Sequence, residues 1–511
     1  MRRRTARLTI SLALFAALPW ALAACVSEDG SDPDGSGGSL AAGTGGGGGS
    51  VSSSGGGPTG TGGASSSSGA PSGTGGAPSG TGGAPSGTGG ASTSGGDPAG
   101  TGGAPGTGGA DGSGGGNAVS PKWGEVENPG AGCTVGSMPS VGSLTANSKL
   151  PDPFKKMDGT RITDKSEWAC RREEILQQAY EFIYGDKPVP AKGSVSGTVS
   201  TSRITVEVND GGGSTSFNVT VNMNGATAPA PAIIGYGGLS GMPVPSGVAT
   251  ITFSAIESTG GSGAKRGPFY DVYGSDHPAG YLTAQAWQIS RVLDVLEQNP
   301  DVINPYRVGV TGCSRWGKGA FVAGALDNRI ALTIPVESGL GGTIGLRLVE
   351  VLDSYSGSEW PYHGISYVRW LSEVALGQFT TGNNAGADNT NKLPVDMHEM
   401  MGLIAPRGLY VVDNPSTMYN GLDRNSAWVT ANVGKMIFEA LGVGDHMAYT
   451  GAGGSHCSWR SQYTASLNAM IDKFLKGNDA AETGNFATDL PNRPDHLDHI
   501  DWTPPTLSGE L

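Results

Sequence analysis

The sequence of 511 residues is poor in charge, and most of the charge that it has is negative. Charged side chains make up 15% of the chain, and 32 lysines and arginines stand against 45 aspartates and glutamates, a formal net charge of −13 at pH 7. A surface that binds nucleic acid needs a basic face to neutralise phosphates, which this composition does not offer. We therefore expect no nucleic-acid partner, and an anionic ligand would have to be held by local positive charge.

Cysteine is also scarce. The five cysteines include no Cys-x-x-Cys spacing, so the sequence does not predict zinc, and we expect neither a metal nor a cofactor. Setting Cys25 aside leaves Cys133, Cys170, Cys313 and Cys457. An even number of cysteines in an exported protein favours two disulfides, although the sequence leaves three pairings open.

A long hydrophobic run is missing as well. The apolar run from Leu8 to Ala24 follows four arginines and is short for a membrane span, a pattern typical of a secretory signal. Its last residues, Leu22-Ala-Ala-Cys25, match a bacterial lipobox, in which the signal at residues 1–24 is removed and Cys25 is lipidated. We expect an exported cell-surface or outer-membrane lipoprotein that touches the membrane only through this anchor. A plain signal, which would give a secreted protein, is the alternative.

Glycine, in contrast, is abundant, with 88 residues. Residues 25–117 consist almost entirely of Gly, Ser, Thr, Ala and Pro, and they repeat the unit Gly-Gly-Ala-Pro-Ser-Gly-Thr. Such a segment buries too little apolar surface to offset its ordering entropy, so it predicts a disordered tether. Residues 118–480 have the composition and length of one large α/β domain, and we expect a monomer.

Residues 481–511 are polar and rich in proline, and the sequence predicts a polar C-terminal tail there. His496 and His499 lie in this segment among three aspartates. A solvated strip of polar side chains is favoured over a metal site.

Strands and helices alternate through the second half of the predicted domain. Before them, Ile204–Val208 and Phe217–Asn222 flank the run Asp210-Gly-Gly-Gly213, which predicts an antiparallel hairpin. Buried strands are then predicted at 232–236, 307–311, 330–334 and 408–412, and helices at 282–297, 317–326, 427–441 and 463–475. This order predicts a mostly parallel central sheet with helices on both faces.

Ser314 lies in the turn Gly312-Cys-Ser-Arg-Trp-Gly-Lys-Gly319, directly after a predicted strand. In such sheets, function gathers at the carboxyl ends of the strands. The turn is similar to a nucleophile elbow, although Gly317 comes one place later than the second glycine of Gly-x-Ser-x-Gly. Two alternatives are a phosphate loop, whose final Ser or Thr is here Gly319, and an ordinary serine at a helix N-cap.

A nucleophilic serine needs a base and an acid from elsewhere in the fold. His456 lies in the run Gly451-Ala-Gly-Gly-Ser-His-Cys457, between a strand-like stretch and the last predicted helix, where an α/β-hydrolase places its base. Glu337 and Asp413 each follow a predicted strand. Their spacing does not decide which of them is the acid.

The cysteines constrain the same site. Cys313 precedes Ser314 and Cys457 follows His456, so the two cysteines come close if the serine and the histidine meet. A bridge between them would close a loop of more than a hundred residues and would be worth on the order of 4 to 5 kcal/mol in the chain-entropy model. Cys133 would then pair with Cys170.

Five runs between Cys133 and Leu475 share a known pattern. They are Leu150-Pro-Asp-Pro-Phe154, Trp168-Ala-Cys-Arg-Arg172, Gly309-Val-Thr-Gly-Cys-Ser-Arg315 with Gly317-Lys-Gly-Ala320, Ile334-Pro-Val-Glu-Ser-Gly339 and Leu403-Ile-Ala-Pro-Arg-Gly408. Through these runs the chain resembles the glucuronoyl esterases, carbohydrate esterases with the α/β-hydrolase three-layer sandwich. They cleave the ester between a 4-O-methyl-glucuronic acid branch of xylan and a lignin alcohol.

The resemblance implies a role for each matching residue. Ser314 would be the nucleophile, His456 the base and Glu337, in preference to Asp413, the acid. The family's disulfide pattern also contains both pairings, Cys313 with Cys457 and Cys133 with Cys170.

The resemblance also implies substrate contacts. Arg315 would help to stabilise the oxyanion, and Lys318 would hydrogen-bond sugar hydroxyls. Tyr419 stands where the family has a sugar-contacting tryptophan, and tyrosine keeps the ability to stack and to donate a hydrogen bond.

The expected partners are therefore glucuronoxylan and lignin-carbohydrate esters, hydrolysed through an acyl-enzyme. Two other functions stay open. One is another polysaccharide esterase, such as an acetyl xylan esterase, on the same scaffold. The other is a non-catalytic carbohydrate-binding protein at the cell surface.

Overall fold

The computed structural model describes residues 126–128, 130, 132–253, 265–348, 352, 369–379, 389–416 and 424–511. The predicted signal, the lipidation site at Cys25, the tether at 25–117 and Tyr419 lie outside the described residues. Within the part of the chain that the structure describes, no helix combines the length and the apolarity needed to cross a membrane.

The centre of the described structure is a sheet of ten strands in the order β1-β2-β3-β5-β4-β6-β7-β8-β9-β10. The strands are β1 (Val195–Val199), β2 (Arg203–Asp210), β3 (Gly213–Asn222), β4 (Ala230–Tyr236), β5 (Ala249–Phe253), β6 (Ile303–Cys313), β7 (Leu332–Val336), β8 (Gly408–Asp413), β9 (Met447–Gly451) and β10 (Phe486–Thr488). Pairing is antiparallel from β1 through β2 and β3 to β5, and parallel from β5 to β10. The prediction of a mostly parallel sheet is confirmed.

Eight α-helices of the described residues accompany the sheet. They are α1 (Trp168–Ala179), α2 (Pro268–Tyr273), α3 (Tyr281–Gln298), α4 (Arg315–Leu326), α5 (Glu373–Gln378), α6 (Met397–Gly402), α7 (Arg424–Ala440) and α8 (Ser461–Phe474). A π-helical turn (Tyr180–Tyr184) continues α1. The predicted helices correspond to α3, α4, α7 and α8, each with its bounds within three residues of the prediction.

Hydrophobic side chains cover the sheet on both faces. Along β8, Leu409 and Val411 belong to the larger core cluster, whereas Tyr410 and Val412 belong to a smaller one. Successive side chains of a strand point to opposite faces, so the two clusters lie on opposite sides of the sheet. The larger cluster includes residues of α1, α3, α4 and α7, and the smaller one those of α8. The three-layer α/β-hydrolase arrangement is therefore present.

The hairpin predicted in the first half is present as β2 and β3, whose register closes at Asp210 opposite Gly213. Among the elements that the sequence did not predict are α1 and β5. Helix α1 carries four charged side chains within twelve residues and packs on α6, which is distant in sequence. Strand β5 is only five residues long and lies between β3 and β4, out of chain order.

Residues 481–511, predicted as a polar tail, pack against the domain. Strand β10 in this segment pairs in parallel with β9. Further on, the Nε1 atom of Trp502 donates a hydrogen bond of 2.9 Å to the carbonyl of Leu150, and its ring packs edge-on against Phe154. The segment is polar in composition, but its few apolar side chains attach it to the fold.

Candidate active site

Four consecutive strands bring the predicted site residues together. In the sheet, β6, β7, β8 and β9 are neighbours and run parallel, so their carboxyl ends lie side by side. Ser314 directly follows β6, Glu337 follows β7, Asn414 follows β8, and the loop with His456 follows β9. The site is therefore built on adjacent strand ends, as expected for an open α/β sheet.

Ser314 sits on a strained strand-to-helix turn. Its backbone has φ 56° and ψ −125°, a left-handed conformation that costs a serine about 1 to 3 kcal/mol and is found mostly at functional sites. Although Ser314 is the N-cap of α4, its side chain makes no capping hydrogen bond. The alternative of an ordinary N-cap serine therefore does not fit the structure.

The spacing of the two glycines follows from the tightness of this turn. A Cβ atom on Gly312 would lie 2.5 Å from the carbonyl oxygen of Trp316, and one on Gly317 would lie 2.6 Å from the carbonyl oxygen of Val336. Both contacts are with backbone, which has little freedom to move. The glycine three places after Ser314 is thus required where α4 passes β7, which explains the departure from Gly-x-Ser-x-Gly.

The His456 ring is held by Glu337. The Nδ1 atom of His456 lies 2.7 Å from Oε2 of Glu337, and the side chain of Glu337 is fully buried. An ionised carboxylate can only accept a hydrogen bond, so Nδ1 carries the proton of the ring. Nε2, on the side away from Glu337, is then the nitrogen that can accept a proton. Glu337 itself has φ 43°, a second left-handed residue in the site.

Further donors surround the Glu337 carboxylate. The amide of Cys457 donates to Oε2 at 3.0 Å, and a guanidinium nitrogen of Arg460 donates to Oε1 at 2.8 Å. Burial alone would raise the pKa of Glu337, but the hydrogen bonds from His456, Arg460 and Cys457 together hold it below its ordinary value. Glu337 is therefore an anion at neutral pH.

Asp413, the other candidate acid, has a different partner. Its carboxylate accepts a hydrogen bond of 3.0 Å from the hydroxyl of Tyr449, and its backbone carbonyl accepts one from Tyr463. The carboxylate in contact with Nδ1 of His456 is that of Glu337. Of the two carboxylates that spacing left open, the structure thus brings Glu337 into contact with the histidine.

Both expected disulfides are present. Cys313 is bonded to Cys457 across a sequence separation of 144 residues, with Cα atoms 5.7 Å apart, and Cys133 is bonded to Cys170. The first bridge ties the residue before Ser314 to the residue after His456. Among the described residues, one group of potential metal ligands lies close enough together to hold an ion, namely Cys313, His456 and Cys457. Both of its sulfurs are in the disulfide, however, and so are not the thiolates that bind a metal.

Arg315 and Lys318 differ in exposure. Arg315 is exposed at the start of α4, and its guanidinium lies 6.0 Å from the centre of the Trp316 ring. Lys318 is buried, with its Nζ atom 2.5 Å from the carbonyl oxygen of Ser338 and 4.4 Å from the centre of the Trp370 ring. The phosphate-loop alternative is disfavoured for another reason, because Gly319 offers no hydroxyl where that loop needs a Ser or Thr to hold magnesium.

Two residues of the site were missed in the sequence. Asn414 is fully buried and exchanges hydrogen bonds with the backbone of Gly454 while its amide also lies 3.3 Å from Glu337. Arg460 is the second. Asn414 could have been found because it follows a predicted strand, whereas nothing in the sequence pairs Arg460 with Glu337.

The positive-φ serine, the histidine and the buried carboxylate on adjacent strand ends of a mostly parallel sheet define a serine hydrolase of the α/β-hydrolase fold.

Comparisons with known proteins narrow this class. A family model described as "Glucuronyl esterase, fungi" matches residues 206–442. The 4-O-methyl-glucuronoyl methylesterase of Podospora anserina is 40% identical over 394 residues, which cover 75% of this chain and 79% of that protein. The glucuronoyl esterase catalytic domain from Hypocrea jecorina superposes with a TM-score of 0.65 at 38% identity and covers 73% of this chain and all of that domain.

A third relative carries a ligand. A glucuronoyl esterase from Sporotrichum thermophile, as a serine-to-alanine variant in complex with methyl 4-O-methyl-beta-D-glucopyranuronate, matches with a TM-score of 0.66 and 35% identity. This match covers 74% of the present chain and all of that one. The chain belongs to the glucuronoyl esterase family and is a carboxylic ester hydrolase.

Proposed function

We propose that this enzyme hydrolyses esters of 4-O-methyl-glucuronic acid, with Ser314 as nucleophile, His456 as base and Glu337 as acid. The observation that carries this proposal is the 2.7 Å contact between His456 Nδ1 and Glu337 Oε2, on a loop bonded through Cys457 to the neighbour of Ser314. The relatives named above, among them the variant bound to a methyl glucuronate, support the same substrate class.

The reaction proceeds in two halves. The Ser314 hydroxyl attacks the ester carbonyl carbon while Nε2 of His456 takes its proton, and that proton then passes to the departing alcohol oxygen as the ester bond breaks. A water molecule attacks the resulting acyl-enzyme by the same route, which releases the uronic acid and restores Ser314. Glu337 keeps the proton on Nδ1 and stabilises the imidazolium formed in each half.

Positive groups at the start of α4 would stabilise the negative oxygen of the tetrahedral intermediate. The N-terminus of this helix follows Ser314 directly, and the backbone amide after a nucleophile is a usual oxyanion donor. The exposed guanidinium of Arg315 would add charge there, and one such donor is worth roughly 100- to 1,000-fold in rate. Lys318 and Tyr419 stay predicted sugar contacts.

The natural substrate we propose is glucuronoxylan esterified to lignin alcohols. Such polymers do not enter cells, and the two disulfides support export. We further propose that Cys25 is lipidated and that residues 25–117 hold the catalytic domain away from the membrane as a monomer. Mass analysis of the membrane fraction would find the lipid on Cys25, and Cys25→Ser would release the protein.

The substrate class is tested by comparing two esters. Benzyl or methyl glucuronate carries the uronic acid as the acyl part, whereas acetylated xylan carries acetate. We expect hydrolysis of the glucuronate esters with a kcat/KM at least about 100-fold above that for acetylated xylan, since only in the former is the acyl group itself a sugar, whose ring and hydroxyls the site can bind. Activity on acetylated xylan alone would contradict the substrate and favour an acetyl xylan esterase.

A further inference from the structure

The two oxygens of the Glu337 carboxylate have different partners. Oε2 receives the ring nitrogen of His456 and the amide of Cys457, while Oε1 receives the guanidinium of Arg460 at 2.8 Å. The Glu337 side chain is fully buried, and that of Arg460 is only 10% exposed. This ion pair is therefore shielded from water. Its two charges interact more strongly than they would at the surface, where water screens them.

Arg460 also holds the loop that carries the histidine. One guanidinium nitrogen donates to the carbonyl of Ser458 at 2.9 Å, and the other donates to the carbonyl of Ser455 at 2.8 Å. These two carbonyls bracket His456 on either side in the sequence. The Arg460 side chain crosses this loop so closely that a Cβ on Gly454 would lie 2.4 Å from its Nε atom, which accounts for a glycine there.

From this geometry we propose that Arg460 is a positioning residue, which fixes Oε1 of Glu337 and the His456 loop together so that Oε2 meets the imidazole. The proposal rests on the proposed function, because it assumes that Glu337 is the acid. A guanidinium suits the task because its planar fork donates in several fixed directions at once. A lysine at this position would keep the charge but lose part of the fork.

Other ionisable groups near Glu337 have partners of their own. Asp413 accepts from Tyr449, and the Tyr463 hydroxyl, which contacts Arg460 at 2.7 Å, donates to the Asp413 carbonyl. Burial raises the pKa of Tyr463, so it is neutral at the pH of the reaction. On α4, Arg315 is exposed, and Lys318 contacts the carbonyl of Ser338, the residue after Glu337.

Loss of the Arg460 charge has a defined effect on the pH profile. The cation disfavours a further proton on the Glu337–His456 pair. Its removal lets the pair bind a proton more tightly, so the acid limb of kcat/KM moves to higher pH, by about one pH unit for a directly paired charge. A residue with only a structural role would lower activity equally at every pH.

The test compares Arg460→Met with Arg460→Lys and Arg493→Met in the full chain with methyl glucuronate. The exposed Arg493 lies over Trp428, so its removal changes the net charge equally without touching Glu337. We expect Arg460→Met to lower kcat at pH 6 by roughly 10-fold or more, with partial recovery at pH 8 and little change in KM. Arg460→Lys should keep the acid limb near its wild-type position, and Arg493→Met should behave as wild type.

A double-mutant cycle with Glu337→Gln separates this proposal from the assignment of the acid. If Arg460 acts through Glu337, adding Arg460→Met to the Glu337→Gln variant lowers kcat by less than about 3-fold further, although each change alone lowers kcat strongly. The positioning role would be overturned if the double variant lost kcat by the product of the two single losses. It would also be overturned if the acid limb of kcat/KM did not shift in Arg460→Met. Full activity of Glu337→Gln would instead overturn the assignment of the acid.

Discussion

Nδ1 of His456 lies 2.7 Å from Oε2 of Glu337, although 119 residues separate them in the chain. The contact depends on the ends of β7 and β9, which lie on either side of β8 in the sheet, and on a disulfide one residue away from each of Ser314 and His456. The His456 ring is thus fixed by Glu337 on one side and by a covalent link to the strand before Ser314 on the other.

Glu337→Gln removes the carboxylate but keeps its shape. The amide can present its NH₂ group to Nδ1, which favours the wrong tautomer of His456, so we expect kcat to fall by about 100- to 10,000-fold. Steady-state kinetics with methyl glucuronate measures the loss. Asp413→Asn is the matched control, since its carboxylate contacts Tyr449, and we expect less than about a 10-fold effect. The reverse ranking of the two variants would make Asp413 the acid.

The two disulfides should differ in their effect on catalysis. In the chain-entropy model, removing the Cys313–Cys457 bridge costs about 5 kcal/mol of unfolding free energy and removing Cys133–Cys170 about 4 kcal/mol. We expect the paired alanine variant at 313 and 457 to lose kcat even where it is folded. The paired variant at 133 and 170 should lose stability only. Denaturant unfolding measures the stability of both paired variants, and kinetics on the folded fraction measures their kcat. Equal kcat values in the two variants would show that the Cys313–Cys457 bridge has no separate effect on catalysis.

Gly317→Ala tests the requirement for a late glycine in the serine turn. The added Cβ would lie 2.6 Å from the carbonyl oxygen of Val336, so we expect a loss of about 1 to 3 kcal/mol in unfolding free energy and a lower kcat. Gly377→Ala is the control, because its Cβ meets nothing within 4 Å and it lies in helix α5. That change should leave kcat unchanged and stability equal or slightly higher, and unaltered behaviour of Gly317→Ala would refute the steric explanation.

His398 should make the fold sensitive to acid. It is fully buried, its Nε2 contacts the carbonyl of Pro151 at 2.9 Å, and burial lowers its pKa to about 4. The folded state therefore resists protonation that the unfolded chain accepts below its ordinary pKa of 6.5. Stability is lost as pH falls from about 6.5 to 4, by about 3 kcal/mol in total.

The check on His398 compares urea unfolding at pH 7 and pH 4. His398→Gln should remove that part of the pH dependence, whereas His496→Gln, in the partly exposed C-terminal segment, should not. An identical loss in wild type and His398→Gln would show that other groups cause it.

Sequence patterns predicted the elements that carry the site but not all of its contacts. β6, α4, β8 and β9 could be predicted because continuous apolar stretches and a glycine turn mark them locally. Glu337 could be placed only after a strand, as could Asp413, since the choice depends on which strand end faces His456. Which strand end faces His456 depends on the order of the strands in the sheet, and this order places segments side by side that are far apart in the sequence.

Other features could not be predicted from the sequence, because they depend on contacts between side chains that are far apart in the chain. The contact between Arg460 and Glu337 spans 123 residues, and a lone arginine in a serine-rich loop gives no sign of it. In the same way, residues 481–511 look like a tail because their apolar side chains are few. Trp502 nevertheless finds a partner in Leu150, at a separation of 352 residues.

The most direct measurement is the comparison of wild type with Ser314→Ala, assayed for both hydrolysis and binding of methyl 4-O-methyl-glucuronate. We expect kcat to fall by several orders of magnitude, while calorimetry finds a Kd within roughly 10-fold of the wild-type KM. Hydrolysis by Ser314→Ala at a rate near that of wild type would contradict the central claim that this serine is the nucleophile.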